Sequence, residues 1–249
     1  MKEAKDNFSD QSEIYARYRP AYPPELYSFL ISLVNEKQSA WDCGTGNGQV
    51  AMELSNFFEK VYATDLSEEQ IKNAVQRDNI FYCVERAEYT SFEDNSFDLI
   101  VVAQAIHWFD FNNFYKEANR TAKSDGILAI IGYGLLMVDE ETDWIIDDFY
   151  KNTIGLHWDK ERRYIDEGYQ TIPFPFKDIK APQLINILEW DLEEITGYFK
   201  TWSAVQHYVK ANNKNPVDFI RAELEKIWPK GTTKKIQFPI LIRVAKIEK

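Results

Sequence analysis

The sequence predicts a single α/β domain built around a mostly parallel β-sheet. Strand-like apolar runs alternate with helical segments along the first 134 residues, which is the pattern of consecutive βαβ units. One of these runs, Phe97–Ala103, is apolar along almost its whole length, as expected of a central strand that helices cover on both faces. The length of 249 residues fits one α/β domain with an appended cap.

Five strands are predicted before residue 134, and they are Ser39–Cys43, Val61–Thr64, Ile80–Val84, Phe97–Ala103 and Ile127–Ile131. Helices are predicted where apolar residues recur at helical spacing, at Gln49–Phe58, after Ser67, and at Phe111–Arg120. Ser67 is the expected N-cap, because a serine hydroxyl can accept a hydrogen bond from a first-turn N–H group. Asp125-Gly126 is expected to form a turn before the fifth strand.

After Gly134 the regular alternation ends. The predicted elements are a helix at Glu141–Lys151, a loop region rich in glycine and proline up to Pro182, a strand at Leu184–Trp190, helices at Leu192–Val209 and Pro216–Trp228, and a last strand at Lys235–Lys246. Pro239 cannot donate to a β-ladder, so it is expected at the start of that strand, at an edge or at a bulge. The single predicted domain, residues 1–249, therefore divides into an N-terminal cap segment (1–35), a core (36–134), a cap insertion (135–182) and the remainder of the sheet and helices (183–249).

Composition narrows the class of ligand. The net charge of −11 disfavours binding to nucleic acid, because neutralising phosphates needs clustered Lys and Arg. The two cysteines, Cys43 and Cys83, form no CxxC pair or Cys/His cluster, so no metal site is expected. There is no hydrophobic signal core and no apolar run near the ~20 residues of a membrane helix, which predicts a cytoplasmic protein without membrane insertion. The partner is expected to be a small molecule, and the oligomeric state stays open.

A glycine-rich loop, Gly44-Thr45-Gly46-Asn47-Gly48, follows the first predicted strand and precedes a helix. Glycines let the backbone turn sharply and allow a ligand to approach closely. The helix N-terminus behind the loop offers free N–H groups to a negative or polar ligand. Taken alone, such a loop is also compatible with an ordinary structural turn.

The spacing around this loop discriminates between nucleotide ligands. The third glycine comes one residue too early for the dinucleotide pattern G-x-G-x-x-G, and no Gly-Lys-Ser or Gly-Lys-Thr of a P-loop follows. Asp42 adds a carboxylate that suits a positively charged ligand group and would repel a pyrophosphate. Asp65 ends the second strand, where an acidic side chain can accept both hydroxyls of a ribose. Together these residues indicate a positively charged nucleoside ligand.

Several motifs of the chain resemble a known family. They are Asp42-x-Gly44-x-Gly46-x-Gly48, Asp65-Leu66-Ser67, Ser96–Ile100 and Ala105–Phe109, with Tyr15-x-x-Tyr18-Arg19-Pro20-x-Tyr22-Pro23 and Thr201–Val205 outside the core. This set is similar to class I S-adenosylmethionine-dependent methyltransferases, most of all to the type 11 branch and, within it, the trans-aconitate methyltransferase group. The turn Lys123–Gly126 departs from the Lys-Pro-Gly-Gly that is common in the family. Because this turn is structural and keeps one glycine, the departure does not weaken the prediction of the cofactor.

The resemblance implies a fold and a cofactor site. The implied fold is a Rossmann-like, seven-stranded, mostly parallel sheet with helices on both faces and an antiparallel last strand, capped by the N-terminal segment and an insertion in the C-terminal half. The implied cofactor is S-adenosyl-L-methionine. The residues implied to bind it are Asp42, Gly44 and Gly46 at the methionine, Asp65 at the ribose, Leu66, Ala87 and Glu88 at the adenine, and Gln104 and Ala105 at the methionine and sulfonium.

The same resemblance places His107 and Trp108 at the boundary between cofactor and substrate. His107 is the candidate catalytic base for an acceptor that must lose a proton, although a structural contact at a strand end explains it equally well. For a carboxylate acceptor, Arg19 is the preferred cation, with Tyr15 and Tyr18 closing over it; the alternative is that this segment only packs a helix end. Trp202 is a further substrate-binding candidate, and Arg162 and Arg163 are weaker ones.

These features predict an enzyme, an S-adenosylmethionine-dependent methyltransferase acting on a small-molecule acceptor such as a carboxylate. Two alternatives remain open on the residues. One is a regulatory protein of the same fold that binds the cofactor without turnover. The other is a nicotinamide-dependent oxidoreductase, which the glycine spacing and Asp42 disfavour.

Overall fold

A computed structural model describes residues 17–249. Seven strands form one sheet, and they are β1 (Ser39–Cys43), β2 (Lys60–Asp65), β3 (Ile80–Val84), β4 (Phe97–Ala103), β5 (Ala122–Tyr133), β6 (Ile185–Trp190) and β7 (Lys234–Lys246). Their order across the sheet is β3-β2-β1-β4-β5-β7-β6. The first five strands pair in parallel, and β7 pairs antiparallel to both β5 and β6. The predicted α/β fold with an antiparallel last strand is confirmed.

Nine α-helices accompany the sheet within residues 17–249 from Pro24 onward: α1 (Pro24–Ser32), α2 (Gln49–Leu54), α3 (Glu68–Lys72), α4 (Phe111–Thr121), α5 (Glu140–Asp148), α6 (Arg163–Asp166), α7 (Leu192–Lys200), α8 (Ser203–Asn212) and α9 (Val217–Ile227). Single helical turns at Ile106–Trp108, Phe149–Thr153, Gly155–His157 and Lys160–Arg162 connect some of them. Ser67 caps α3 as predicted, because its side chain accepts the N–H of Gln70.

Two helix predictions were wrong in their extent. The helix predicted at Gln49–Phe58 ends at Leu54, because the chain must turn back into β2: Glu59 N donates to Lys37 O and Lys60 N to Gln38 O. The helix predicted at Leu192–Val209 is divided into α7 and α8. At the division Trp202 has extended backbone angles, φ −76° and ψ 133°, and its indole is buried in the core. Burial of this ring therefore overrides the helical pattern of the sequence.

The two predictions about strand irregularities need correction in different ways. Asp125-Gly126 does not separate two elements but lies inside the continuous strand β5, where Asp125 is left-handed (φ 67°) and the register with β4 shifts. Pro239 lies in the middle of β7, not at its start. There β7 changes partner: residues 234–239 pair with β6, and residues 240–246 pair with β5. Because β5 pairing ends beside Pro239, the missing N–H breaks no ladder bond with β5.

Successive residues of the central strands are buried on opposite faces of the sheet. Leu99 and Val101 pack with helices α1 and α2 on one face, whereas Ile100 and Val102 pack with α4 on the other. A third buried cluster belongs to the cap, where side chains of α5, α7, α8 and α9 pack against Tyr133 and Phe238. The carboxyl ends of β4 and β5 thus meet the cap at one edge of the sheet. None of the helices in residues 17–249 is long and apolar enough to cross a membrane.

Candidate active site

The glycine loop lies at the carboxyl end of β1 and is packed against two neighbouring strand ends. Gly44 has φ 72°, and a Cβ there would stand 2.7 Å from Ala105 Cβ, which follows β4. Gly48 has φ 83°, and a Cβ there would overlap the hydroxyl of Tyr82 on β3. Above Gly46 the nearest atom to such a Cβ is Gln70 Oε1 at 3.9 Å. Glycine is therefore required for packing at both ends of the loop, while no atom of residues 17–249 crowds a Cβ at its middle.

Asp42 is buried completely at the end of β1. Its Oδ2 accepts hydrogen bonds from Thr45 Oγ1 (2.5 Å) and from the N–H of Ala51 in α2 (2.9 Å). Its Oδ1 is buried without a hydrogen-bond partner in residues 17–249. Burial is the main cause that raises the pKa of Asp42 to about 7, and the two hydrogen bonds oppose this rise. An unpaired, buried carboxylate oxygen is a costly arrangement that a cationic ligand group would relieve.

Asp65 joins the loop to the end of β2. Its Oδ2 accepts the N–H of Gly46 at 2.8 Å, and its Oδ1 accepts the N–H of Ser67 at 2.9 Å. The side chain is half-buried. Asp65 therefore holds the loop in place.

The residues predicted beside an adenine flank this region. Leu66 is 44% exposed directly after Asp65. Ala87 and Glu88 are buried after β3, and Glu88 accepts the N–H of Asp110 at 2.9 Å and Arg86 Nε at 3.3 Å. Glu88 therefore ties the segment after β3 to the start of α4.

Gln104 and Ala105 follow β4 and face the cap and the loop respectively. Gln104 has φ 52°, a left-handed conformation that costs a non-glycine residue about 1–3 kcal/mol and is typical of functional sites. Its Nε2 donates to Tyr133 O at 3.0 Å, and its Oε1 accepts from Tyr169 Oη at 3.4 Å. These bonds hold the strained residue between the sheet edge and the cap.

A cavity of about 40 Å³ lies between the end of β4 and the cap. Six of the sequence-predicted residues line it, and they are Arg19, Gln104, His107, Trp108, Trp202 and the weaker candidate Arg162. The residues that sequence reasoning did not predict there are Trp158, Asp159, Ile165 and Ser203. In the sequence, the run Trp158–Arg163 is dense in aromatic and charged residues, which is typical of a binding site. Nothing in its spacing, however, connects it to β4.

His107 and Trp108 form the sheet side of this cavity. His107 is 4% exposed, and its ring lies 4.8 Å from the ring of Trp108 and 6.4 Å from that of Tyr169. Both residues belong to the single turn Ile106–Trp108 that follows β4. The structure thus places His107 at the boundary between the strand ends and the cap.

Arg19 lies in the cavity wall but is engaged by the protein. Its Nη1 donates to Tyr133 Oη at 3.0 Å and its Nη2 donates to Thr201 O at 3.1 Å, while its guanidinium stacks on Tyr198. Tyr18 packs directly on Gly197 in α7. Tyr15, the third residue predicted in this segment, lies outside the described residues. Arg19 and Tyr18 therefore attach the N-terminal segment to the cap.

The two weaker cationic candidates, Arg162 and Arg163, lie in different surroundings. Arg162 lines the cavity, and its Nε donates to Tyr150 Oη (2.8 Å) and to Asp166 Oδ1 (3.2 Å). Arg163 does not line this cavity, and its Nη2 donates to the neighbouring Tyr164 Oη.

Trp202, at 1% exposure, contributes an indole Nε1 that has no hydrogen-bond partner in the described part of the chain. No cluster of three or more His, Cys, Asp or Glu in residues 17–249 is placed to bind a metal ion.

Comparison with known proteins agrees with this geometry. Residues 41–130 match the family model described as a methyltransferase domain. A protein of Dictyostelium discoideum, whose name describes it as a methyltransferase, is 35% identical over 98% of this chain and 95% of its own length. A protein of Saccharomyces cerevisiae, named as an S-adenosylmethionine-dependent methyltransferase, is 24% identical over 75% of this chain and 66% of its own length.

Among solved structures, the chain is similar to a protein from Anaeromyxobacter dehalogenans described as a type II methyltransferase. The two are 35% identical and superpose with a TM-score of 0.86, covering 93% of this chain and 99% of the other. The likeness therefore includes the cap as well as the sheet.

Proposed function

The chain belongs to the class I S-adenosylmethionine-dependent methyltransferase family, and from this premise we propose that it transfers a methyl group from S-adenosylmethionine to a small-molecule acceptor. The observation that carries the proposal is the arrangement at the carboxyl ends of β1 and β4. There the loop with its buried Asp42 contacts Ala105, and Gln104 next to it lines the cavity under the cap. A cofactor held by the loop would thus lie beside an acceptor held in the cavity.

The residues present fit this cofactor. Within residues 17–249, Oδ1 of Asp42 has no hydrogen-bond partner, which suits an ammonium group, and no atom crowds the backbone at Gly46. We assign Asp42, Gly44 and Gly46 to the methionine part, Asp65 to the ribose hydroxyls, and Leu66, Ala87 and Glu88 to the adenine side. Gln104 and Ala105 would line the sulfonium. When bound, S-adenosylmethionine supplies a methyl group on a positively charged sulfur.

For the acceptor we propose a small carboxylate, as in the trans-aconitate methyltransferase group that the motifs resemble. A carboxylate has no proton to lose, so the protein needs mainly to align it, and alignment is worth up to ~7–11 kcal/mol in favourable systems. Trp108 and Trp202 would shape the cavity, and Arg19 would hold the N-terminal segment over it. His107 would position such an acceptor, and would act as a base toward an acceptor with a hydroxyl or amine.

The test is a transfer assay with S-adenosylmethionine that carries a labelled methyl group, run against polycarboxylic acids, fatty acids and quinone precursors. The proposal expects label in one acid and an equal amount of S-adenosylhomocysteine. Label in a quinone precursor would keep the transferase function and reject the carboxylate. Binding of the cofactor with no transfer to any acceptor would instead support a regulatory protein without turnover.

A further inference from the structure

The terminal nitrogens of Arg162 are unused donors at the cavity. The Arg162 side chain is 15% exposed, and its Nε donates to Tyr150 Oη and Asp166 Oδ1. The hydrogen bonds of Arg162 within residues 17–249 come from Nε, and neither Nη1 nor Nη2 donates one there. The rings of Trp158 and Tyr150, 4.7 and 5.4 Å from the guanidinium carbon, restrict its position further. A fixed guanidinium with two free terminal nitrogens is suited to bidentate binding of a carboxylate.

Two further sets of donors lie at the same cavity. Trp202 Nε1 is buried and unpartnered within residues 17–249, and an indole nitrogen can only donate. Trp202 is also the N-cap residue of the ten-residue helix α8 and caps it with no side-chain hydrogen bond. The first N–H groups of a helix have no partner within that helix, and Ser203 at its first position lines the cavity. The positive end of the helix dipole adds to their attraction for an anion.

Among residues 17–249, the lining of the cavity contains two guanidinium groups, Arg19 and Arg162, and one carboxylate, Asp159. Arg162 also pairs with Asp166 through Nε, which leaves Nη1 and Nη2 as its remaining donors. Oδ2 of Asp159 lies 3.8 Å from Nδ1 of His207, a residue that does not line the cavity.

From these contacts we infer that the acceptor carries a carboxylate anchor, which the terminal nitrogens of Arg162, Trp202 Nε1 and the N-terminus of α8 bind. Donors that neutralise a carboxylate also reduce its nucleophilicity, so the methyl-accepting group is a second group of the same molecule, directed toward His107. The acceptor class is therefore a bifunctional acid. This inference rests on the proposed function. It assigns the binding of the carboxylate to Arg162 and not to Arg19, because Arg19 already donates to Tyr133 and Thr201.

The test is calorimetric titration of the full chain, saturated with S-adenosylhomocysteine, with succinate, citrate, inorganic phosphate and neutral succinamide. Succinate or citrate is expected to bind and succinamide not to bind. Arg162→Gln is expected to weaken carboxylate binding at least about tenfold, as for loss of a charged hydrogen bond, and Arg162→Lys to restore part of it. Arg163→Gln, which removes the adjacent exposed guanidinium, is the matched control and is expected to bind like the wild type.

Each other outcome rejects a defined part of the inference. Equal carboxylate affinity of Arg162→Gln and the wild type, or binding of succinamide as tight as that of succinate, would overturn it. Phosphate binding tighter than both acids would overturn the choice of a carboxylate. Binding of S-adenosylhomocysteine to Arg162→Gln shows that the variant is folded. If the wild type itself fails to bind S-adenosylhomocysteine, the proposed function fails first, so the two failures are distinguishable.

Discussion

At the scale of a single residue, the buried carboxylate of Asp42 lowers the stability of the cofactor-free protein. A carboxylate that is fully buried with one oxygen unpaired in the described chain is an expensive group, and its pKa of about 7 expresses that cost. In the unfolded chain the same group titrates near its ordinary value of 3.8. Between these two values the folded chain binds the proton more tightly than the unfolded chain. The free energy of unfolding therefore falls as the pH rises from about 4 to 7.

Asp42→Asn is expected to raise the stability of the cofactor-free protein at pH 8, because the neutral amide removes the buried charge. The gain is at most about 4 kcal/mol, since the shift of about three pKa units corresponds to ~1.4 kcal/mol per unit. The same variant is expected to bind S-adenosylmethionine at least about tenfold more weakly. Thermal unfolding at pH 5 and pH 8 with parallel calorimetry measures both effects. Lower stability of the variant at pH 8 would contradict the buried, charged state of Asp42.

Gly48 and Tyr82 form a second residue-scale test, because they define how closely the loop approaches β3. Gly48→Ala is expected to cost about 2–4 kcal/mol, from the left-handed backbone and from overlap with the Tyr82 hydroxyl. Tyr82→Phe alone is expected to cost about 1 kcal/mol, for the hydrogen bond that Tyr82 Oη donates to Val75 O. The double variant is expected to cost less than the sum of the two. Urea unfolding of all four proteins measures this coupling, and simple additivity would show that the overlap does not matter.

At the scale of elements, close contacts attach the described part of the N-terminal segment to the cap. Tyr18 packs on Gly197 of α7, and the adjacent Arg19 bonds to Tyr133 and Thr201. A methyl group at Gly197 would force the Tyr18 ring away and displace Arg19 from the cavity wall. The glycine loop belongs to other elements, so the cofactor site should not respond.

Gly197→Ala is therefore expected to raise KM for the acceptor several-fold with little change in the affinity for S-adenosylmethionine. Steady-state kinetics with the acceptor from the transfer assay, together with cofactor calorimetry, separates the two quantities. Gly155→Ala is the matched control in the cap, because the nearest atom to its new Cβ lies at an ordinary 3.7 Å. An unchanged KM for Gly197→Ala would show that this contact does not control the acceptor site.

The same scale shows what the sequence can and cannot predict. Strands β1 to β4 and the cap of α3 follow from local patterns, since short apolar runs and a capping serine leave direct marks in the sequence. The division between α7 and α8 does not, because it depends on the burial of Trp202 among distant aromatic rings. The partner change of β7 at Pro239 likewise depends on where β5 ends.

At the scale of the whole molecule, the topology explains why the site could be predicted in part. Residues after β1, β2 and β4 converge because parallel strands present their carboxyl ends at one edge of the sheet. The cofactor candidates therefore follow from strand order and motif spacing. The cap reaches this edge through tertiary packing, which no local pattern of the sequence records, so the sequence favours Arg19 over Arg162 although both line the cavity.

The most direct test of the central claim is calorimetric titration of the wild-type protein with S-adenosylmethionine and, separately, with NADH. The arrangement of Asp42, Asp65 and the glycine loop predicts saturable binding of S-adenosylmethionine at one site per chain and no measurable binding of NADH. Tight binding of NADH without binding of S-adenosylmethionine would contradict the account.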